Sequence, residues 1–217
     1  MSPSTAPRKL GAGPLAIALS GSLLCVTAAS TFAAGAGPVR SLAEIRQEQV
    51  VIQRWDTSCG AAALATLLKY QHGLSVSEKQ IAERMLRTTD PLKVKARGGF
   101  SLLDLKRYAD ASGLEGTGYM EVGLEQLIDM APAIVPIITR GYPHFVVIRG
   151  RADGKVLIAD PAFGNRTMDV HAFERAWQGN IAFVVDRRDG LQPPNTLTQR
   201  ATDNLRPPDA AIRGALR

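Results

Sequence analysis

Gln53-Arg54-Trp55-Asp56-Thr57-Ser58-Cys59-Gly60-Ala61-Ala62-Ala63-Leu64 changes character at a single point. Up to Ser58 the run is polar and loop-like. From residue 60 to residue 72 it is rich in Ala and Leu, with apolar residues on nearly every side. A helix that is hydrophobic all round is buried, so this segment reads as a central helix. Gly73 is placed to end it in a left-handed conformation. Cys59 is thereby the first residue of the helix. Backbone N–H groups at that end carry partial positive charge, which favours thiolate over thiol, and thiolate is the nucleophile.

Further helices follow outward from this one. Ser77-Glu78-Lys79-Gln80 is a capping box, opening a helix with Ile81 and Met85 inward. Ser101-Leu102-Leu103-Asp104 starts another, with Leu105, Tyr108 and Ala109 on its core side and Gly113 as the stop. The pair Gly98-Gly99 reads as a flexible turn before that cap. Residues 124–130 suggest a short helix.

The composition then turns to short β-branched runs at 133–139, 145–149, 156–159 and 181–185, punctuated by Gly141-Tyr142-Pro143 and Asp153-Gly154. A helix at about 170–178 interrupts before the last run. Helices followed by an antiparallel sheet is an α+β pattern. Residues 188–217, with Pro193-Pro194 and Pro207-Pro208 and few large apolar groups, read as a mobile tail.

The 217 residues suggest one domain with appendages, and 45% hydrophobic content is enough to bury a core. The formal net charge is +6. Without Arg8 and Lys9 it falls to about +4, and the basic residues are scattered. This excludes a nucleic-acid footprint and a basic amphipathic membrane helix. Residues 1–33 have the form of a secretory signal: Arg8 and Lys9, an apolar run from Leu10 to Val26, then Thr31-Phe32-Ala33. Nothing later approaches a membrane-spanning length, so the mature chain is expected to be exported, with 34–47 as its lead-in. Cys25 lies in the apolar run after Leu24, which argues against lipid attachment.

Removal of the signal leaves Cys59 as the sole thiol. A lone thiol in an exported protein is buried and inert, reserved for another chain, or reactive. A nucleophilic thiol needs a base, and histidine suits neutral pH. The candidates are His72, His144 and His171. His72 reads as a helix-end residue and His171 as a first-turn residue. His144 opens the Phe145-Val146-Val147-Ile148 strand after a turn, where a side chain can be aimed into a cleft. Asp160 ends the next strand and is followed by Pro161. Two adjacent antiparallel strands can hold His144 and Asp160 within hydrogen-bonding reach, the third group fixing the imidazole. One Cys and three scattered His give no metal-ligand spacing, and no cofactor is expected. A thiol redox role lacks the second Cys of a C-x-x-C pair.

The ordered set of Gln53, Cys59-Gly60, a Gly-aromatic-Ser-Leu helix start, His144-Phe145-Val146-Val147, Asp160-Pro161, Gly164, Phe173, Trp177 and Gly179 resembles the bacteriocin-processing leader peptidases. These are papain-like cysteine peptidases (cysteine peptidase family 39), which cut leader peptides after a double glycine. The likeness covers about residues 48–186. It implies a papain-like α+β domain over 48–187, with N-terminal helices packed on a C-terminal antiparallel sheet. It also implies Cys59 as nucleophile, His144 as base, Asp160 as orienting carboxylate and Gln53 as oxyanion donor, the last worth typically ~3 kcal/mol. Many relatives carry Asp before the cysteine, where this chain has Ser58.

With a signal peptide and no transporter domains, the chain looks most like periplasmic peptidases that accompany functional-amyloid secretion. The resemblance then implies a polypeptide partner, an amyloid subunit or the secretion machinery. The rival reading is a peptidase-like module that binds and holds a secreted polypeptide without cutting it.

Overall fold

A computed structural model describes residues 40–191 and 195–199. The expected signal peptide lies outside the described residues. Eight helices and six strands are described among them. They run α1 (Leu42–Gln47), α2 (Cys59–Tyr70), α3 (Glu78–Leu86), α4 (Pro91–Arg97), α5 (Leu102–Ala111), β1 (Leu114–Tyr119), α6 (Leu124–Asp129), β2 (Ala133–Thr139), β3 (Tyr142–Ala152), β4 (Lys155–Asp160), β5 (Gly164–Asp169), α7 (Val170–Ala176), β6 (Ala182–Arg187) and α8 (Thr196–Gln199).

The six strands form one sheet in the order β1-β6-β2-β3-β4-β5, with every pairing antiparallel. Side chains of a strand alternate between faces, and the inner strands are apolar on both. Ile134, Val147, Ala159, Phe183 and Val185 join one core, with Leu64, Leu67 and Leu68 of α2, Ile81 and Met85 of α3, and Leu105 of α5. Val135, Ile137, Val146, Ile148 and Ile158 join a second core, with Leu127 of α6 and Phe173 and Trp177 of the α7 region. Strands covered on both faces read as continuous hydrophobic runs, as these do.

The sheet therefore has helices on both faces. The sequence predicts a helical half followed by a sheet half, but β1 precedes α6, and α6 and α7 pack on the face away from α2. The α+β class stands, with the N-terminal helices against an antiparallel sheet.

Local chemistry explains most boundaries. Ser77 and Ser101 cap α3 and α5 in reciprocal capping boxes with Gln80 and Asp104. Helix α4, not anticipated, has Asp90 as its cap, Pro91 in its first turn and Gly98 in the left-handed conformation at its end. The Gly98-Gly99 pair is thus a helix terminus, and Gly99 is buried against the loop before Cys59.

Within the stretch 188–217, expected as a mobile tail, the described residues 195–199 carry α8. Leu197 of α8 is fully buried in the α2-side core, and Arg149 Nε donates to its carbonyl at 2.8 Å. A buried leucine and a satisfied buried guanidinium hold this turn in place. Residues 192–194 and 200–217 lie outside the described residues.

Candidate active site

Helix α2 begins at Cys59, as its Ala/Leu-rich sequence predicts, and every residue from Cys59 to Leu68 is buried. Ser58 is the N-cap residue, but its hydroxyl makes no capping bond, and the first turn has no acidic residue. The N–H groups at the start of α2 are therefore left without a side-chain cap. Gly60 lets the sheet approach: a Cβ there would lie 3.2 Å from Leu105 Cδ1 and 3.3 Å from Phe145 Cδ2. Phe145 follows His144 on β3, so the glycine admits the strand end that carries the histidine.

His144 and Asp160 come together as the antiparallel reading requires. His144 Nε2 lies 2.7 Å from Asp160 Oδ1. With Nε2 so engaged, Nδ1 is the ring nitrogen left for the thiol, and the Cys59 sulfur is within interaction range of the ring. Burial disfavours the charged imidazolium. The Asp160 hydrogen bond, the sulfur and the charges of both partners outweigh it and raise the His144 pKa to about 9.

Asp160 is wholly buried and saturated with donors. Oδ1 also accepts from Ala162 N at 2.8 Å and Phe163 N at 3.3 Å, and Oδ2 from Arg166 Nε at 2.8 Å. Burial alone would push its pKa up. The His144 bond and charge, the Ala162 N–H and Arg166 reverse that and hold it below the usual carboxylate range.

Gln53 is joined to the same corner through its backbone, since Gln53 N donates to Pro161 O at 2.8 Å. Its side-chain Nε2 donates to Trp55 O at 3.1 Å, and Oε1 is buried without a partner. One N–H of the amide remains available. The structure thus gathers Cys59, His144 and Asp160, and ties Gln53 to the Asp160-Pro161 turn. The other two histidines stand apart. His72 is buried with Nε2 3.0 Å from Val185 O, and burial lowers its pKa. His171 is exposed near the start of α7, with Glu174 for a neighbour.

Two contributors escape the sequence. Arg166 lies on polar strand β5 (GNRTMD), which has no apolar alternation to announce it. Glu78 reads as an ordinary first-turn acid of α3, yet it is buried and meets the loop before Cys59. The Asx turn at Asp160 did have a signal: an Asp-Pro step with a glycine four residues on.

The chain has known relatives. The profile of the peptidase C39 family matches residues 47–189. A Pseudomonas aeruginosa protein described as "Probable functional amyloid protease FapD" is 40% identical over 169 residues, covering 75% of this chain and 74% of the relative. Its Pseudomonas fluorescens counterpart of the same description is 37% identical over 172 residues, covering 76% and 75%. Among solved structures, the peptidase domain of Streptococcus ComA, a bifunctional ABC transporter involved in quorum sensing, superposes with a TM-score of 0.54. At 24% identity it covers 64% of this chain and 98% of that domain.

Proposed function

The chain belongs to the peptidase C39 family and is a cysteine peptidase, and from that premise we propose that it is an exported endopeptidase working through Cys59, His144 and Asp160. The observation that supports the site is the His144–Asp160 hydrogen bond, with a buried cysteine at an uncapped helix start whose sulfur helps to raise the histidine's pKa. The Cys59 sulfur attacks the scissile carbonyl carbon, and the carbonyl π electrons move onto oxygen. The oxyanion is held by the Cys59 N–H and by the free N–H of Gln53. His144, protonated at neutral pH, gives its Nδ1 proton to the leaving amine as the C–N bond breaks. A water then gives a proton back to His144 and attacks the thioester, releasing the acid and the thiolate. Asp160 keeps Nε2–H oriented and stabilises the imidazolium throughout.

The substrate we propose is a polypeptide of a functional-amyloid export system, because the relatives at 40% and 37% identity are each described as a "Probable functional amyloid protease". The signal-like sequence of residues 1–33 supports action in the periplasm. Among the described residues, no helix is long and apolar enough to cross a membrane.

The test is to incubate the purified protein and its Cys59→Ala variant with proteins co-secreted by the source organism, and to identify new termini by mass spectrometry. New termini with wild type alone are expected. If the two give the same product pattern, and the variant supports secretion as well as wild type, the holding-module reading replaces the peptidase. N-terminal sequencing of the stable protein checks export, with a start near Ala34 expected.

A further inference from the structure

The loop that joins Gln53 to Cys59 is gripped at both ends by one buried carboxylate. Glu78, only 4% exposed, comes from the first turn of α3. Its two oxygens accept the Arg54 N–H at 3.0 and 3.2 Å, and Oε1 also accepts the Ser58 hydroxyl. Arg54 follows Gln53 and Ser58 precedes Cys59, so the grip spans the five residues between the two oxyanion donors.

The protons around this group can be assigned. Ser58 Oγ lies near both Trp55 O, at 2.7 Å, and Glu78 Oε1. A hydroxyl has one proton to donate. Trp55 O already accepts from Gln53 Nε2 and from Ser58 N at 3.2 Å, which occupies both its lone pairs, whereas Glu78 Oε1 has one left beside the Arg54 N–H, so the Ser58 proton goes to Glu78. Two consequences follow. Gln53 is held by Trp55 O in a loop whose ends are fixed. Ser58, a residue type that ordinarily caps helices, has its hydroxyl drawn away from α2, leaving the N–H groups at Cys59 open.

We propose that Glu78 is a positioning residue for the oxyanion hole, acting through Arg54 N and Ser58 Oγ to set Gln53 and the Cys59 N–H. The inference rests on the oxyanion roles assigned to those two groups under the peptidase reading. Glu78 touches neither substrate nor the reacting sulfur.

The test separates oxyanion chemistry from thiol chemistry. The peptide aldehyde acetyl-Gly-Gly-H forms a hemithioacetal with a nucleophilic cysteine, and its oxygen lies where the substrate oxyanion would. Iodoacetamide alkylates the same sulfur at a saturated carbon, with no oxyanion. Glu78→Gln keeps the size but sets an N–H donor against Arg54 N–H or the Ser58 hydroxyl. It is expected to bind the aldehyde about 10-fold or more weakly, with alkylation within about 2-fold of wild type and the circular dichroism unchanged. Glu78→Asp, a carboxylate one methylene short, should fall between.

Aldehyde affinity equal to wild type in Glu78→Gln overturns the proposal. So does a parallel loss of both reactions, which would make the role merely structural. If Glu78→Gln does not fold, Ser58→Ala decides: it keeps the Arg54 bond and loses the hydroxyl, and unchanged aldehyde affinity there overturns the proposal too. A wild-type protein that is alkylated but binds no aldehyde would instead overturn the peptidase reading itself.

Discussion

His144 Nε2 and Asp160 Oδ1 meet at 2.7 Å from the facing ends of two neighbouring strands, and the carboxylate in that contact is fully buried. The pairing fixes which imidazole nitrogen faces the thiol. It also makes the histidine a stronger base than it is in water.

That basicity predicts a pH signature. The His144 pKa, about 9, lies above its ordinary 6.5, so the folded state holds the proton more tightly than the unfolded chain. The resulting stabilisation is complete below about pH 6.5 and is lost as pH rises through about 9. Thermal denaturation from pH 6 to 9.5 should show a steeper fall for wild type than for His144→Gln. Parallel curves would contradict the shift. Peptide cleavage should fall over the same alkaline range, as the leaving amine loses its proton donor.

The three proposed reactive residues should not behave alike when replaced. Cys59→Ala should abolish cleavage and keep the fold. His144→Ala should be nearly as severe. Asp160→Asn exchanges an acceptor used by four donors for a group that carries N–H bonds of its own, beside a half-buried Arg166. It should therefore cost stability, about 3 kcal/mol by urea denaturation, besides lowering turnover. An Asp160→Asn protein as stable as wild type would show that the buried charge is not part of the fold.

Loss of the Gln53 amide should be read in kcat and not in KM. Its bond to the carbonyl oxygen strengthens as charge develops. Gln53→Ala is expected to lower kcat about 100-fold, with KM changed little. A rise in KM at constant kcat would assign Gln53 to substrate binding.

Gly164 is a point where backbone must pass backbone. Its φ is +78°, and a Cβ would lie 2.4 Å from the Arg46 carbonyl oxygen of α1. Gly164→Ala therefore combines left-handed strain with a steric overlap, and should cost about 2–3 kcal/mol. Thermal melting of Gly164→Ala beside Gly154→Ala isolates the overlap, since Gly154 has a similar φ of +72° and open space around it. Equal losses would remove the close approach as a cause.

The α8 turn gives a stability prediction of its own. Leu197 is fully buried and Leu191 is 64% exposed. Leu197→Ala should cost about 2 kcal/mol or more in urea denaturation, and Leu191→Ala little. Two equally harmless changes would return 195–199 to the status of a loose tail.

What was legible in the sequence was whatever buries apolar side chains in a regular rhythm or carries an explicit cap. Helix α2 declared itself through its Ala/Leu-rich content, α3 and α5 through serine capping boxes, and the inner strands through β-branched runs. Both edge strands were missed. β1 (LEGTGY) and β5 (GNRTMD) are polar or glycine-interrupted, because an edge strand has one unpaired side and little core to fill. Helix α1 buries no side chain, so its capping box at Ser41 and Glu44 had no apolar face behind it. The chemistry was divided in the same way. Cys59, His144 and Asp160 stand at the ends of elements with strong patterns. Arg166 and Glu78 act only through their tertiary position, which no local spacing records.

Arg149 gives β5 a double duty. This buried guanidinium donates to Leu197 O at 2.8 Å, to Asn165 Oδ1 at 2.7 Å and to Gln49 Oε1 at 2.9 Å, so the stretch entering the domain and the stretch leaving it are fastened at one node. Asn165 is the strand's link to that node, and its neighbour Arg166 is the strand's link to Asp160. The two fastenings sit one peptide apart. A tug on either flank of the domain would be felt first at the strand that steadies the proposed catalytic carboxylate, so the chain's flanks and its reactive corner share a single beam.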